Sequence, residues 1–403
     1  MDREITLGNV NVLDLRKTSK ETFDSLGLIK NVNIILVSDE TASYLPGIPA
    51  KNLNAVAHVP SNVEVQTCMS HLTLNANFLA GFREPKFLLI MGHAVVEADV
   101  PPELIQEKIE GMVIMGKLVC PEALIGTLQS KTTLLMGKTV SYPQDAILVT
   151  KSLTLDDAFL SGLPDASKLV VTGSLRVLDE VSDAMIERKL HSLQVERSIL
   201  CRQEHVLAVK AKLDPGSTVL VVPTGHRLIE GMLTLDPMTL ESLDAAQLFC
   251  MGDILISEDV KADSFQNAVS ALKSLGVIAC PSRLKDVLKT KCDMLGNRVV
   301  LYEGAMWYVD NDRELLPEQF EYVEGSMTIL NRADLKIGSG VAPQTILDRV
   351  DRIHNLGDII CQPEQIPAIE ARLGLRDGEV VQQKPEPEDE DAPTIGNANY
   401  LVL

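Results

Sequence analysis

The chain has 403 residues, enough for two or three ordinary domains or for one long repeat array. Its 37 Lys and Arg against 56 Asp and Glu leave a formal net charge of −19, which argues against nucleic acid or anionic membrane as the main partner. Hydrophobic residues make up 45% but aromatic ones only 4%, so the core has to be aliphatic.

Met1-Asp2-Arg3-Glu4-Ile5 mixes charges and carries no apolar leader run. The longest uncharged apolar stretch, Phe87 to Val96, spans ten residues, about half of what a membrane helix needs. The seven cysteines are odd in number and none form a C-x-x-C pair, which fits reduced thiols. The expectation is a soluble, cytoplasmic protein that does not bind membranes.

From the N-terminus onward, a short apolar run ending in Gly recurs. Ile5-Thr6-Leu7-Gly8 starts the series, and Leu88-Leu89-Ile90-Met91-Gly92, Met112-Val113-Ile114-Met115-Gly116 and Leu134-Leu135-Met136-Gly137 follow. Leu169 to Gly173, Leu248 to Gly252, Val300 to Gly304 and His354 to Gly357 continue it, with degenerate copies at Arg197, Gly225 and Asn331. Gly92 to Gly116 is 24 residues, Gly116 to Gly137 is 21, and Gly276 to Gly304 is 28. Positions two and four after the Gly are usually apolar, as at Leu118 and Cys120 or Ile254 and Ile256, which predicts a strand. A Gly between two short strands predicts a bend where neighbouring backbones come close.

Helix starts alternate with these strands. Pro101-Pro102-Glu103 opens one helix and Cys120-Pro121-Glu122 the next. Asp236-Pro237, Cys280-Pro281 and Cys361-Gln362-Pro363 open later ones. The apolar spacing predicts a longer helix from Asp259 to Leu272, with Phe265, Val269 and Leu272 on one face. Acid pairs such as Asp156-Asp157 and Glu258-Asp259 are read as helix starts, not as catalytic pairs. Cys120 to Cys201 and Cys280 to Cys361 are each 81 residues apart, about three units, and are read as small interior side chains.

The fold expected is α/β: a repeat solenoid of about 14–17 irregular strand–bend–strand–helix coils of roughly 20–28 residues. Such units resemble bacterial leucine-rich-repeat solenoids, and Leu272-x-x-Leu275-x-Val277-x-x-Cys280 matches that family's core spacing once. The resemblance implies architecture and carries over no site residue, and the family's Asn ladder is read as absent. Residues 1–383 are assigned to the array and 384–403 to an acidic Pro-rich linker with an apolar C-terminal docking peptide.

No phosphate loop, nucleophile elbow or H-E-x-x-H motif is present, and Gly338-Ser339-Gly340 reads as a turn. The seven His are scattered; His93 and His226 each follow a bend Gly but lie 133 residues apart, too far for joint ligation. No enzyme activity, metal or cofactor is expected. The protein-binding candidates are Trp307, Tyr400, Leu401, Val402 and Leu403. Trp307 is the single Trp, set by alternation on the face opposite Met306 and Tyr308, and so read as either an outward contact or packed between coils. The peptide Thr394 to Leu403 is strand-prone and suited to edge docking on its own last coil, on another copy or on a receptor. The first unit shows no capping helix, so its open edge calls for cover by a partner or a second protomer. The function expected is a non-catalytic scaffold that self-associates, possible as a homo-oligomer, or docks protein partners. A monomeric recognition module is the alternative, and an enzyme with a site spread over several coils comes third.

Overall fold

The computed structural model describes residues 5–178, 181–383 and 394–403. The linker residues Lys384 to Pro393 read from the sequence lie outside the described residues. The chain divides into two compact units, Met1–Val221 with Asp389–Leu403, and Val222–Glu388. Each is a mixed α/β stack of short strands, and the neighbouring strands pair in parallel.

The first unit opens with β1 (Ile5–Asp14), β2 (Leu26–Val37) and β3 (Ala50–His58), joined by helix α1 (Lys20–Ser25) and by short 3-10 turns. The C-terminal strand Thr394–Val402 completes this sheet, in the order β3, β2, β1, C-terminal strand. Behind it lies a sheet of Glu64–Cys68, Lys86–Ile90, Ile109–Ile114 and Thr132–Leu135. A bend in each coil leads to a second sheet of His71–Leu74, His93–Val96, Lys117–Pro121 and Lys138–Tyr142. The same paired-sheet arrangement follows with Ile147–Val149, Ser167–Val171 and Leu190–Val195 in one sheet, and Leu153–Thr154, Leu175–Val177 and Ile199–Arg202 in the other. In the second unit it recurs twice more, ending with the sheet of Arg313–Leu315, Leu335–Ile337, Ile359–Cys361 and Val380–Gln382.

A longer period underlies these sheets. The helices Ala76–Ala80, Asp157–Ser161, Pro237–Glu241 and Pro317–Glu321 are capped at Asn75, Asp156, Asp236 and Leu316, at intervals of 81, 80 and 80 residues. In the first three caps the side-chain oxygen accepts a backbone N–H, from Phe78, Phe159 and Thr239, satisfying a donor that the helix start leaves open. Cys120, Cys201, Cys280 and Cys361 occupy equivalent interior positions, each fully buried as a free thiol. Burial pushes the Cys120 and Cys361 thiols up to about 11 and those of Cys201 and Cys280 to about 12, so they pack as small apolar groups.

Each segment has its own aliphatic core. One is built around Leu88, Ile90, Val96, Ile105 and Leu118, and another around Ile329, Leu335, Ile346 and Ile359. The opposite faces of the sheets are apolar as well and pack onto the next sheet. Val12, Ile34 and Leu36 meet Phe87, Leu89 and Val113; Val95, Val119 and Tyr142 meet Val170. In the second unit Val277, Ala279 and Tyr302 meet Leu330. Sheets buried on both faces explain why the strands read as continuous apolar runs.

The bend glycines stack. A Cβ on Gly116 would collide with the Gly92 carbonyl oxygen and come within 2.7 Å of the Met91 carbonyl oxygen, both backbone atoms that cannot turn away. Gly116→Ala is therefore expected to cost about 2 kcal/mol through overpacking. Gly126→Ala, on the helix Ile125–Lys131 with nothing within 4 Å, is expected to stabilise by about 0.5–1 kcal/mol. Thermal melts of the two variants check the contrast; equal shifts would refute close backbone approach as the reason for Gly116.

Two expectations need correction. The helix predicted from Asp259 to Leu272 ends at Ala268, and Val269–Ser274 is a strand paired with Ala246–Cys250. The ladder to the neighbouring strand outweighs the local helical spacing there. An Asn ladder is also present, in the N-terminal sheet.

Candidate docking site of the C-terminal strand

All four strands of the N-terminal sheet carry an N-x-N motif: Asn9 and Asn11, Asn31 and Asn33, Asn52 and Asn54, Asn397 and Asn399. The first Asn of each pair has a positive φ, 56° at Asn9, 54° at Asn31, 55° at Asn52 and 59° at Asn397. Asn tolerates that left-handed conformation, and it turns each strand at one level. The side-chain amides then line up across the sheet. Asn54 Nδ2 donates to Asn33 Oδ1 (2.7 Å), Asn33 to Asn11 (2.8 Å) and Asn11 to Asn399 (2.8 Å). A second row runs from Asn52 to Asn31 (2.7 Å) and from Asn31 to Asn9 (2.8 Å).

The C-terminal strand joins β1 in parallel, with Leu7 opposite Ile395, Gly8 opposite Gly396, Val12 opposite Tyr400 and Asp14 opposite Val402. A Cβ on Gly396 would meet the Gly8 main chain, so the docked register admits only Gly there. Leu401 and Leu403 pack on the core formed by Leu7, Val10, Leu13, Phe23 and Ile29. Val402 is 59% exposed. The Thr18 hydroxyl donates to the Leu403 main-chain oxygen (2.9 Å), and Leu403 N–H donates to Asp14 O (3.2 Å).

Tyr400 supplies the polar anchor. Its hydroxyl donates to Asp14 Oδ2 (2.8 Å), while Arg16 grips the same carboxylate through Nε (2.8 Å) and Nη2 (2.7 Å). Arg16 Nη1 donates to the main-chain oxygens of Pro60 (3.0 Å) and Val63 (2.7 Å), which follow β3. Asp14 and Arg16 are both buried, at 4% and 8% exposure. Burial alone would raise the Asp14 carboxyl, but the hydrogen bonds from Arg16 and Tyr400 outweigh it and hold the group below its ordinary value. The Tyr400 hydroxyl is pushed up by burial and by its bond to Asp14.

Tyr400, Leu401 and Val402 are thus gathered on one strand in the first unit, with Leu403 directly after it. They dock beside the first coil, whereas the cover expected there was a partner or second protomer, and the intramolecular dock considered for the tail was the last coil. Trp307 belongs to the second unit, on the strand Ala305–Val309. Alternation holds there. Met306 and Tyr308 pack with Val277 and Leu330 on one face, and Trp307 turns to the other, beside Phe320 at 6.1 Å between ring centroids. Half-buried, Trp307 lines a shallow depression of about 500 Å³ with Arg313, Gln319 and the exposed Tyr322.

Sequence reasoning missed Asp14, Arg16 and Thr18, which carry no motif of their own. It also missed the N-x-N pairs, whose fourfold recurrence was visible and would have linked the last ten residues to the first. His93, which follows the bend at Gly92, stands on a strand, its ring 5.4 Å from that of His71. Among the described residues no helix is long and apolar enough to cross a membrane. No family model matches the chain, and no curated protein or solved structure is significantly similar to it.

Proposed function

We propose that the protein is a non-catalytic structural scaffold that self-associates through the N-terminal sheet, which its own C-terminal strand completes. In this reading the chain is a repeat solenoid of about 14–17 strand–bend–strand–helix coils, a repeat type whose units each bury their apolar face on a neighbour. The observation that carries it is the docked strand Thr394–Val402, held by the Asn row and by Tyr400 on Asp14.

The C-terminal strand changes what the edge offers. Without it, the edge is β1, which ends at Asp14 with Arg16 in the turn just beyond, and inward-pointing charges at an edge discourage strand addition. With it, the edge is a nine-residue strand with no charged residue. Removal of residues 392–403 is therefore expected to convert an associated full chain into monomers. Light scattering after size exclusion reads this directly. A full chain that elutes as a monomer of 44.0 kDa at every concentration would overturn self-association. The depression beside Trp307 and Tyr322 supports the second reading, a monomeric module that recognises another protein there.

A further inference from the structure

The geometry points to a second copy of this chain as the partner of the N-terminal sheet, joined head to tail by parallel pairing of the C-terminal strand of one copy with β3 of the next. This deepens the self-association reading and rests on it.

The Asn rows have direction. In the row through Asn54, Asn33, Asn11 and Asn399, each amide donates Nδ2 toward the C-terminal strand. Asn399 accepts at Oδ1, so its Nδ2 is left without a partner among the described residues at one sheet edge. Asn54 donates, so its Oδ1 is left without a partner at the other. Both side chains are exposed. A donor end and an acceptor end of one row are complementary between copies related by translation. Two like ends would not be.

The register agrees. Successive strands place Gly8, Lys30 and Lys51 in one line and Val12, Ile34 and Ala55 in another. Extended by one strand, Gly396 faces Lys51 of the next copy, Ala398 faces Leu53 and Tyr400 faces Ala55. Asn399 then stands opposite Asn54, and Asn397 opposite Asn52, at the strand spacing of about 4.8 Å that the rows already bridge. The sheet packed behind, from Thr132–Leu135 to Glu64–Cys68, is also four strands wide.

The edges lack the usual defences. Natural edge strands are blunted by charge, Pro or bulges that turn them away. The C-terminal strand has neither a charged residue nor a Pro, and β3 carries one Lys, in a chain with 23% charged residues. Ile395 and Val402 on one edge strand and Val56 on the other are 43%, 59% and 38% exposed. Because each copy keeps one free end of each kind, the contact is head to tail and propagates from copy to copy, as an open polymer where its rotation does not close a ring.

Asn399→Asp keeps the oxygen that accepts from Asn11 and replaces the outward donor with an acceptor. Asn54→Lys keeps a donor toward Asn33 and removes the outward acceptor. Each single variant should lower association at least tenfold, as read by light scattering and negative-stain microscopy of the full chain. The double variant N399D/N54K should restore it in a form that weakens with salt. Hydrogen exchange on the unaltered chain is a second reading: amides of residues 50–58 and 395–402 should gain protection as concentration rises. If the wild type associates but both single variants associate as well and these amides gain nothing, the pairing is wrong and self-association stands. If the wild type is monomeric throughout, both fall.

Discussion

Replacing Arg332 by Leu should lower the stability of the second unit by about 3 kcal/mol, because it strands a buried carboxylate. Asp253 is 2% exposed and accepts from Arg332 Nε (2.7 Å) and Nη2, from the Tyr308 hydroxyl (3.0 Å) and from Val277 N–H (2.7 Å). It joins the turn before Ile254–Ile256 to side chains on and just beyond Ala305–Val309 and Met327–Asn331, strands of the sheet stacked against it. The bond to Asp253 raises the Arg332 guanidinium above its ordinary value, and burial pushes Tyr308 up to about 12. Without the guanidinium, two neutral donors remain for a full charge. Asp253→Asn should cost less, about 1–2 kcal/mol, because Arg332 is a third exposed and water can take over its donors. Trp307, the single Trp, lies in this unit and reports its unfolding in urea. A midpoint loss of about 1 M for Arg332→Leu is expected, with a smaller loss for Asp253→Asn. A double variant less damaged than the sum of the singles would confirm the coupling, and an unchanged midpoint in Arg332→Leu would refute it.

How much of this was legible in the sequence differs by scale. Within a coil, strand–Gly–strand and helix were readable, since Gly116 and its neighbours mark the bends and Asp156 and Asp236 mark helix starts. Between coils, legibility fell. Val269 and Leu272 continue a helical spacing, yet they pair with Ala246 and Leu248 more than twenty residues earlier, and no local signal announces that ladder. The docking of the last strand is the extreme case, because Asn11 and Asn399 bond across 388 positions. Parallel pairing is specified by matching faces and ladders, which a window of ten residues does not contain. Trp307 shows the same limit on a smaller scale. Alternation separated it from Met306 and Tyr308, but which face met the core depended on a second sheet packing against the outer one.

Arg16→Met should release the C-terminal strand, the second large effect. The Asp14 carboxylate, 4% exposed, would keep Tyr400 as its one side-chain donor, and the ties from Arg16 to Pro60 and Val63 would be lost. A loss of about 3–5 kcal/mol from the first unit is expected, the range for removing one member of a buried pair. The same network predicts a pH window. Asp14 has a folded value below its ordinary 3.8, so its contribution is complete above 3.8 and is lost as the pH falls through the lower folded value. Tyr400 has a folded value above its ordinary 10.0, so its contribution is complete below 10.0 and is lost as the pH rises toward the folded value. Docking should therefore be flat between about pH 4 and pH 10 and weaken on either side. Hydrogen exchange of the amides from Ile395 to Val402 measures it, with rates corrected for intrinsic pH dependence. In the Arg16→Met protein those amides should exchange freely at neutral pH, whereas Tyr400→Phe, which leaves the Arg16 pair intact, should lose the alkaline limit and keep the acid one. Protection that persists in Arg16→Met would show that the apolar contacts of Leu401 and Leu403 hold the strand alone.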